Sequence, residues 1–178
     1  EDLFIDELPE PFHTTVVEEM RKRAVDASLF ISPSRYYADH MARLLDVERS
    51  KIEVIPLGIR LEGHGAEREP RDEGRVNLGF LARISPEKGL RQLVDAFVEL
   101  GRLRECDALQ LRIAGYLGPR DIAYKDECLG ALETAGLSDR VEFLGEVDLD
   151  QKLAFLRSLD MLSVPTVYRE SKGIFVLE

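Results

Sequence analysis

The chain has 178 residues, and its 34 acidic and 24 basic side chains give a formal net charge of −10. This charge and the lack of a basic stretch argue against nucleic-acid binding, which depends on phosphate neutralisation. No apolar run approaches the roughly 20 residues that cross a bilayer, and no signal-peptide pattern opens the sequence. We therefore predict a globular cytoplasmic protein, and the sequence leaves a peripheral membrane contact open.

The first part of the chain alternates amphipathic and apolar segments. The pattern predicts a helix over residues 11–25, a strand over 27–32, a helix over 34–45 with Ser34 as its N-cap, and a strand over 52–56. We interpret residues 1–57 as the end of one α/β domain. Residues 58–75 are rich in Gly, Glu and Arg without periodicity, which predicts a linker.

Residues 76–178 form a second predicted α/β unit. The predicted strands cover residues 76–83, 109–114, 141–144 and 161–164, and the predicted helices cover residues 90–104, 121–135 and 150–156. The first strand is a nearly continuous apolar run, as in parallel sheets that are buried on both faces. This alternation predicts a doubly wound parallel sheet, which binds ligands at the carboxyl ends of its strands.

Two cations follow the first strand of that unit. Arg83 and Lys88 stand in the segment Arg-Ile-Ser-Pro-Glu-Lys-Gly, where a strand passes into a helix. A guanidinium and an ammonium at this point suit a pyrophosphate. The plainer interpretation is that Ser85-Pro86-Glu87 is an ordinary helix start, in which Lys88 has no ligand. Gly115 and Gly145 follow the next two strands. They either lie beside a ligand or are only turn residues.

A glycine turn between two carboxylates closes the sequence. It runs from Glu170 through Ser171, Lys172, Gly173 and Ile174 to Glu178. A carboxylate accepts both hydroxyl protons of a vicinal diol, and the backbone N–H groups of a glycine turn reach phosphate or sugar. The alternative is that both glutamates are solvated. Together with the two cations, the carboxylates predict a nucleotide-sugar ligand.

These motifs resemble the retaining glycosyltransferases of the GT-B fold, family 4 or "group 1", in which two Rossmann-like domains face each other. Further matches are Val54-Ile-Pro-Leu-Gly58, Ile113-Ala-Gly115 and Val141-Glu-Phe-Leu-Gly145. The resemblance covers nearly the whole chain. It implies an α/β GT-B protein whose residues 76–178 form most of the donor-binding Rossmann-like domain.

The resemblance also implies a role for each motif. Arg83 and Lys88 would bind the donor diphosphate and stabilise its leaving charge, and Glu170 would orient the donor sugar, so these three are the predicted catalytic residues. Glu178 would bind the ribose. Backbone atoms near Gly115 and Gly145 would bind the base, and the turn at residues 171–174 would bind the sugar or phosphate. The implied donor is a UDP-, GDP- or ADP-sugar, without a metal or another cofactor.

Three positions depart from the family pattern. Ala82 replaces the usual glycine before Arg83. Leu57 replaces the usual asparagine in Val54–Gly58, the segment that resembles the interdomain crossover of the family. Lys172 adds a cation beside the expected sugar pocket. It either points into solvent, as a lone lysine normally does, or selects an acidic sugar.

A two-domain enzyme of this family needs roughly twice this length, so we expect an excerpt that is inactive alone. The acceptor, whether a lipid, a polysaccharide or a small molecule, and the oligomeric state are left open. Cys106 and Cys128 lack metal-ligand spacing, and we predict reduced thiols and no metal site. Two rival functions remain: a non-catalytic nucleotide-sugar-binding or assembly module, and an epimerase or phosphorylase of the same architecture.

Overall fold

The computed structural model describes residues 3–65 and 74–178, in which α-helices alternate with parallel β-strands. The contacts of the chain divide it into two compact units. The first unit comprises the residues up to Ile59 and Tyr168–Leu177, and the second comprises Arg60–Val167 and Glu178. The sequence assigned residues 168–177 to the donor domain, whereas their contacts group them with the first unit. The boundaries of the domains stay a prediction, and residues 66–73 of the predicted linker lie outside the described residues.

The first unit contains a two-stranded parallel sheet. Its elements are α1 (Leu3–Asp6), α2 (Phe12–Ala24), β1 (Phe30–Ser32), α3 (Arg35–Leu45) and β2 (Ile52–Val54). Phe30 pairs with Ile52 and Ser32 with Val54, and α3 forms the crossover between the strands. The predicted N-cap is confirmed, because Ser34 is extended and its hydroxyl accepts a hydrogen bond from the N–H of Tyr37 at 3.1 Å.

Both strands of this sheet are shorter than predicted. The N–H of Ala27 bonds to the carbonyl of Ala24 in the turn after α2, so the first predicted strand residue is not available for pairing. Pro56 has no N–H to donate to a ladder. The predicted strands therefore extend beyond the paired residues, before β1 and after β2.

The second unit contains a four-stranded parallel sheet in the order β5-β4-β3-β6. Its strands are β3 (Val76–Leu81), β4 (Leu109–Ala114), β5 (Val141–Gly145) and β6 (Met161–Leu162), and its helices are α4 (Leu90–Leu100), α5 (Ile122–Thr134) and α6 (Leu149–Arg157). The chain proceeds outward from β3 to β5 and then returns to the other side of β3. The strand order therefore reverses beside β3, which is where doubly wound sheets bind ligands.

Helices cover both faces of this sheet, because the side chains of its strands alternate in direction. Leu78 and Phe80 of β3 pack in the cluster that includes Leu93 and Phe97 of α4. The intervening Gly79 lies against Leu159, which packs with Phe155 of α6 on the opposite face. The predicted doubly wound sheet is confirmed.

Several element ends differ from the predicted ones. α4 ends at Leu100 rather than Arg104, because Gly101 follows and the N–H of Leu103 already bonds in a turn to the carbonyl of Leu100. β6 ends at Leu162 because it pairs with β3 only through Leu78–Met161 and Gly79–Leu162. β3 ends at Leu81, two residues before Arg83.

The two cysteines are free thiols. Cys128 is a buried residue of α5, and burial raises the pKa of its thiol, which keeps it protonated. Cys106 stands in a 3₁₀ turn, where its carbonyl accepts a hydrogen bond from Arg140. Both positions fit structural cysteines.

Gly115 allows two strand ends to approach closely. It has a φ of 150°, and a Cβ built on it would lie 1.7 Å from the carbonyl oxygen of Ala82. Its N–H donates to the carbonyl of Gly145 at 2.7 Å. The ends of β3, β4 and β5 therefore meet at a point where no side chain fits at position 115.

We predict that Gly115→Ala lowers the free energy of unfolding by about 3 kcal/mol, because the added methyl meets backbone and the φ is unfavourable. Gly130→Ala is the matched control. Nothing lies within 4 Å of a Cβ at that position in α5, and alanine favours the helix, so this variant should gain about 0.5 kcal/mol. Urea denaturation measures both. Equal unfolding midpoints would contradict the close approach.

Candidate functional site

Arg83 and Lys88, called the phosphate clamp below, stand on the connection from β3 to α4. Pro86–Lys88 form a 3₁₀ turn, and Gly89 then adopts φ 79° before α4 begins. The Arg83 guanidinium forms an ion pair with Glu87, four residues later, and its side chain is 44% exposed. The clamp therefore lies at the carboxyl end of β3, beside the reversal of strand order.

The loop after β6 supports the clamp. The N–H of Val167 donates to the carbonyl of Glu87 at 3.0 Å. A Cβ at Gly89 would lie 1.9 Å from the carbonyl oxygen of Pro165, so the two connections touch through their backbones. This packing fixes the turn that carries Lys88.

Glu87 is held in its ionised form. Partial burial opposes ionisation, but the backbone N–H of Glu87, the neighbouring Ser85 hydroxyl and the charge of Arg83 together keep the pKa of the Glu87 carboxyl below its ordinary value. In the folded protein Arg83 thus faces a carboxylate.

Glu178 belongs to the same unit as the clamp. Its carboxylate forms an ion pair with Lys152 of α6, with 2.7 Å between Nζ and Oε1. The Nδ1 atom of His64 lies 3.1 Å from the carbonyl oxygen of Glu178. The structure therefore gathers Arg83, Lys88, Gly115, Gly145 and Glu178 in one unit. Arg83, Gly115 and Gly145 stand at strand ends, and Lys88 stands in the turn between β3 and α4.

Glu170 to Ile174, called the sugar loop below, belongs to the first unit. The Tyr168 hydroxyl donates to the Glu170 carboxylate at 2.7 Å. The Ser34 hydroxyl donates to the carbonyl of Ser171 at 2.8 Å while it caps α3. The loop that carries Glu170 is therefore tied to the start of α3.

The remaining residues of the sugar loop are partly or fully open to solvent. Lys172 and Gly173 are half-buried, and Ile174 is exposed at the start of a 3₁₀ turn. The binding roles of the sugar loop and of the phosphate clamp stay predictions.

Sequence reasoning missed the roles of Glu87, Lys152 and Tyr168. The Arg83–Glu87 pair has the i, i+4 spacing of a helical ion pair and could have been found. Lys152 gives no such signal, because it stands 26 residues from Glu178.

Comparison with known proteins places these residues in a family. The model of the family described as "Glycosyl transferases group 1" matches residues 66–178, which contain the phosphate clamp and both glutamates. The chain belongs to the group 1 glycosyltransferases. Its fold and the motifs that suggested the resemblance agree with this assignment.

Two curated relatives in this family are similar along much of the chain. A D-inositol 3-phosphate glycosyltransferase of Nocardia farcinica is 27% identical over 177 residues, which are 96% of this chain and 39% of the relative. A phosphatidyl-myo-inositol mannosyltransferase of Mycobacterium leprae is 34% identical over 130 residues, which are 70% of this chain and 31% of the relative. The chain thus spans about two fifths or less of each relative.

A solved structure shares the fold. The crystal structure of Anabaena HepE in complex with UDP and glucose superposes with a TM-score of 0.73 at 20% identity, covering 88% of this chain and 44% of that one. The predicted fold class, an α/β fold of the GT-B type with parallel sheets, is confirmed by this likeness. None of the helices in residues 3–65 and 74–178 has the length and apolar character needed to cross a membrane.

We predict that the Glu87 carboxylate makes folding pH-dependent. Its pKa is lower in the folded state than its ordinary value of 4.5, so its stabilisation is complete above that value and is lost as the pH falls through the folded pKa. Between about pH 6 and about pH 3, the wild type should lose more stability than Glu87→Gln. Urea midpoints across this range measure the difference, with Glu99→Gln on the exposed side of α4 as the control. Parallel curves for all three proteins would contradict the prediction.

We predict that Ser34→Ala lowers stability by about 1 kcal/mol through loss of the helix cap, and that it also loosens the sugar loop. Trypsin should then cleave faster after Arg169 or Lys172. Ser34→Thr keeps the hydroxyl and should restore most of the protection, whereas Ser50→Ala, which alters an exposed hydroxyl paired with Glu48, should change neither quantity. Unchanged cleavage in Ser34→Ala would show that the tether does not hold the loop.

Proposed function

We propose that the parent protein is a retaining glycosyltransferase that transfers a sugar from a nucleoside diphosphate sugar, and that this chain supplies most of the donor site. The observation that carries the proposal is the phosphate clamp at the reversal of strand order in a member of the group 1 family. The chain alone is expected to be inactive, since it spans less than half of its curated relatives.

The clamp would act mainly through its side chains. The N–H groups of Lys88 and Gly89 already bond within the turn, and the N–H of Arg91 bonds to the Tyr124 hydroxyl. Charge that develops on the leaving diphosphate would then be stabilised by the Arg83 guanidinium and the Lys88 ammonium. Two cations supply this stabilisation without a metal ion.

The two carboxylates would divide the rest of the donor between them. Glu178, in the unit of the clamp, would accept the hydroxyl protons of the ribose. Glu170, oriented by Tyr168, would accept those of the sugar that is transferred. In this assignment Glu170 orients the sugar and does not form a covalent intermediate.

UDP-sugars are the first donors to test. The HepE structure, which shares this fold, was determined with UDP and glucose bound. GDP- and ADP-sugars remain candidates, because the base would be bound by backbone atoms near Gly115 and Gly145. Side chains in the sequence therefore do not identify the base. The proposed acceptor is a lipid, a polysaccharide or a small molecule.

We expect the full-length protein to bind UDP, GDP or ADP, and Arg83→Ala to weaken that binding about tenfold to a hundredfold, the effect of losing one charged hydrogen-bonding partner. Arg91→Ala is the control, because that arginine lies on α4 and pairs with Asp95. Isothermal titration measures both variants. If Arg83→Ala and the wild type bound the nucleotide with equal affinity, Arg83 would not be part of the donor site.

Product analysis separates the rival functions. A transferase releases the nucleoside diphosphate only when an acceptor is added, whereas a phosphorylase requires inorganic phosphate and an epimerase isomerises the donor alone. Nucleotide binding without any of these reactions, tested with lipid, polysaccharide and small-molecule acceptors, would favour a non-catalytic module.

A further inference from the structure

Lys152 contacts the carboxylate that is predicted to bind ribose. Its ammonium is 2.7 Å from Glu178 Oε1, and the lysine and glutamate side chains are only 24% and 17% exposed. A lysine near a surface normally extends its ammonium into water. This ammonium instead meets a carboxylate in a largely covered position, which indicates that the pair is held in place.

The surroundings hold both partners. Lys152 stands in α6, which begins with a capping box between Asp148 and Gln151 and is anchored in the core by Leu153 and Phe155. Because α6 has a fixed start and two buried side chains, the lysine projects from a rigid element.

The loop that contains Gly63 and His64 packs on the same helix. Gly63 has φ 83°, and a Cβ there would lie 2.5 Å from the Leu153 side chain. The carbonyl of Gly63 accepts a hydrogen bond from Arg157 at 2.5 Å, and the neighbouring His64 contacts the Glu178 carbonyl. Thus α6 contacts the side chain of Glu178, and this loop contacts its backbone.

The pair has two consequences for a carboxylate that must work beside a diphosphate. The ammonium occupies Oε1 and leaves Oε2 to accept from a hydroxyl, so it selects one orientation of the carboxylate. It also offsets the negative charge of Glu178, which would otherwise repel a doubly charged diphosphate. A carboxylate that binds ribose in this site benefits from both effects.

We propose that Lys152 is a positioning residue that orients and neutralises Glu178 for recognition of the ribose diol of the donor nucleotide. This inference rests on the proposed function, because it requires that Glu178 meets the nucleoside. In this proposal Lys152 acts through Glu178 and does not itself contact the reacting atoms.

The experiment compares a ribonucleotide with its 2′-deoxy form in the full-length protein. Isothermal titration is run with UDP and 2′-deoxy-UDP, or with the corresponding GDP or ADP pair if that base binds more tightly. The wild type should prefer the ribonucleotide about tenfold, since losing one hydrogen bond to a charged group has that effect. Lys152→Met should reduce the preference to about twofold, and Lys152→Arg should restore most of it.

Two controls separate positioning from general damage. Lys125→Met removes a lysine of similar exposure that pairs with Asp126 on α5, and it should leave the preference intact. Glu178→Ala should abolish the preference, and adding Lys152→Met to it should cause no further loss. If Lys152 had only a structural role, Lys152→Met would lower the melting temperature and weaken the binding of both nucleotides equally.

The outcomes distinguish this inference from the proposal on which it depends. A preference that survives in Lys152→Met, or a wild type that binds both nucleotides equally, overturns the role of Lys152 while diphosphate binding stands. A wild type that binds none of UDP, GDP and ADP overturns the proposed function itself. A loss of preference restricted to Lys152→Met and Glu178→Ala supports the inference.

Discussion

Burial of the four-stranded sheet on both faces is the constraint from which the rest of the second unit follows. Phe80 of β3 and Ile113 of β4 are inaccessible to solvent, and helices on opposite faces seal the sheet. A buried parallel strand has little room for a charged side chain. Cations that follow such a strand therefore gather in the connections at its carboxyl end, as Arg83 and Lys88 do.

Those connections are ordered by backbone contacts. Gly115 and Gly89 each stand where a methyl group would overlap a carbonyl of a neighbouring connection. The absence of a side chain lets neighbouring connections share hydrogen bonds, such as Gly115 with Gly145 and Val167 with Glu87. The positions of the charged side chains are thus set by close main-chain packing beneath them. Ala82, which departs from the family pattern, takes part in this packing through its carbonyl group.

The extent to which the sequence predicted the structure depends on the range of the interaction. β4 was predicted with its observed bounds, and α3 with its Ser34 cap, because both rest on local patterns and capping chemistry. The predicted ends of β1, β2 and β6 were wrong, because pairing with a partner strand, and not hydrophobicity, decides where a strand begins and ends. The Lys152–Glu178 pair and the grouping of residues 168–177 with the first unit join distant parts of the chain, and no local pattern encodes them.

The ion pair between Arg83 and Glu87 changes what a ligand at this position encounters. The Arg83 guanidinium is paired with a carboxylate before any ligand binds, so part of its hydration has already been exchanged for that contact. In the proposed donor site, a diphosphate that binds Arg83 would replace one anion by another. Because a single carboxylate already satisfies the charge of Arg83, the advantage of a diphosphate would come from its shape and from the second cation, Lys88. The ion pair would thereby discriminate against simple anions, which match the Glu87 carboxylate in charge but would not span both cations.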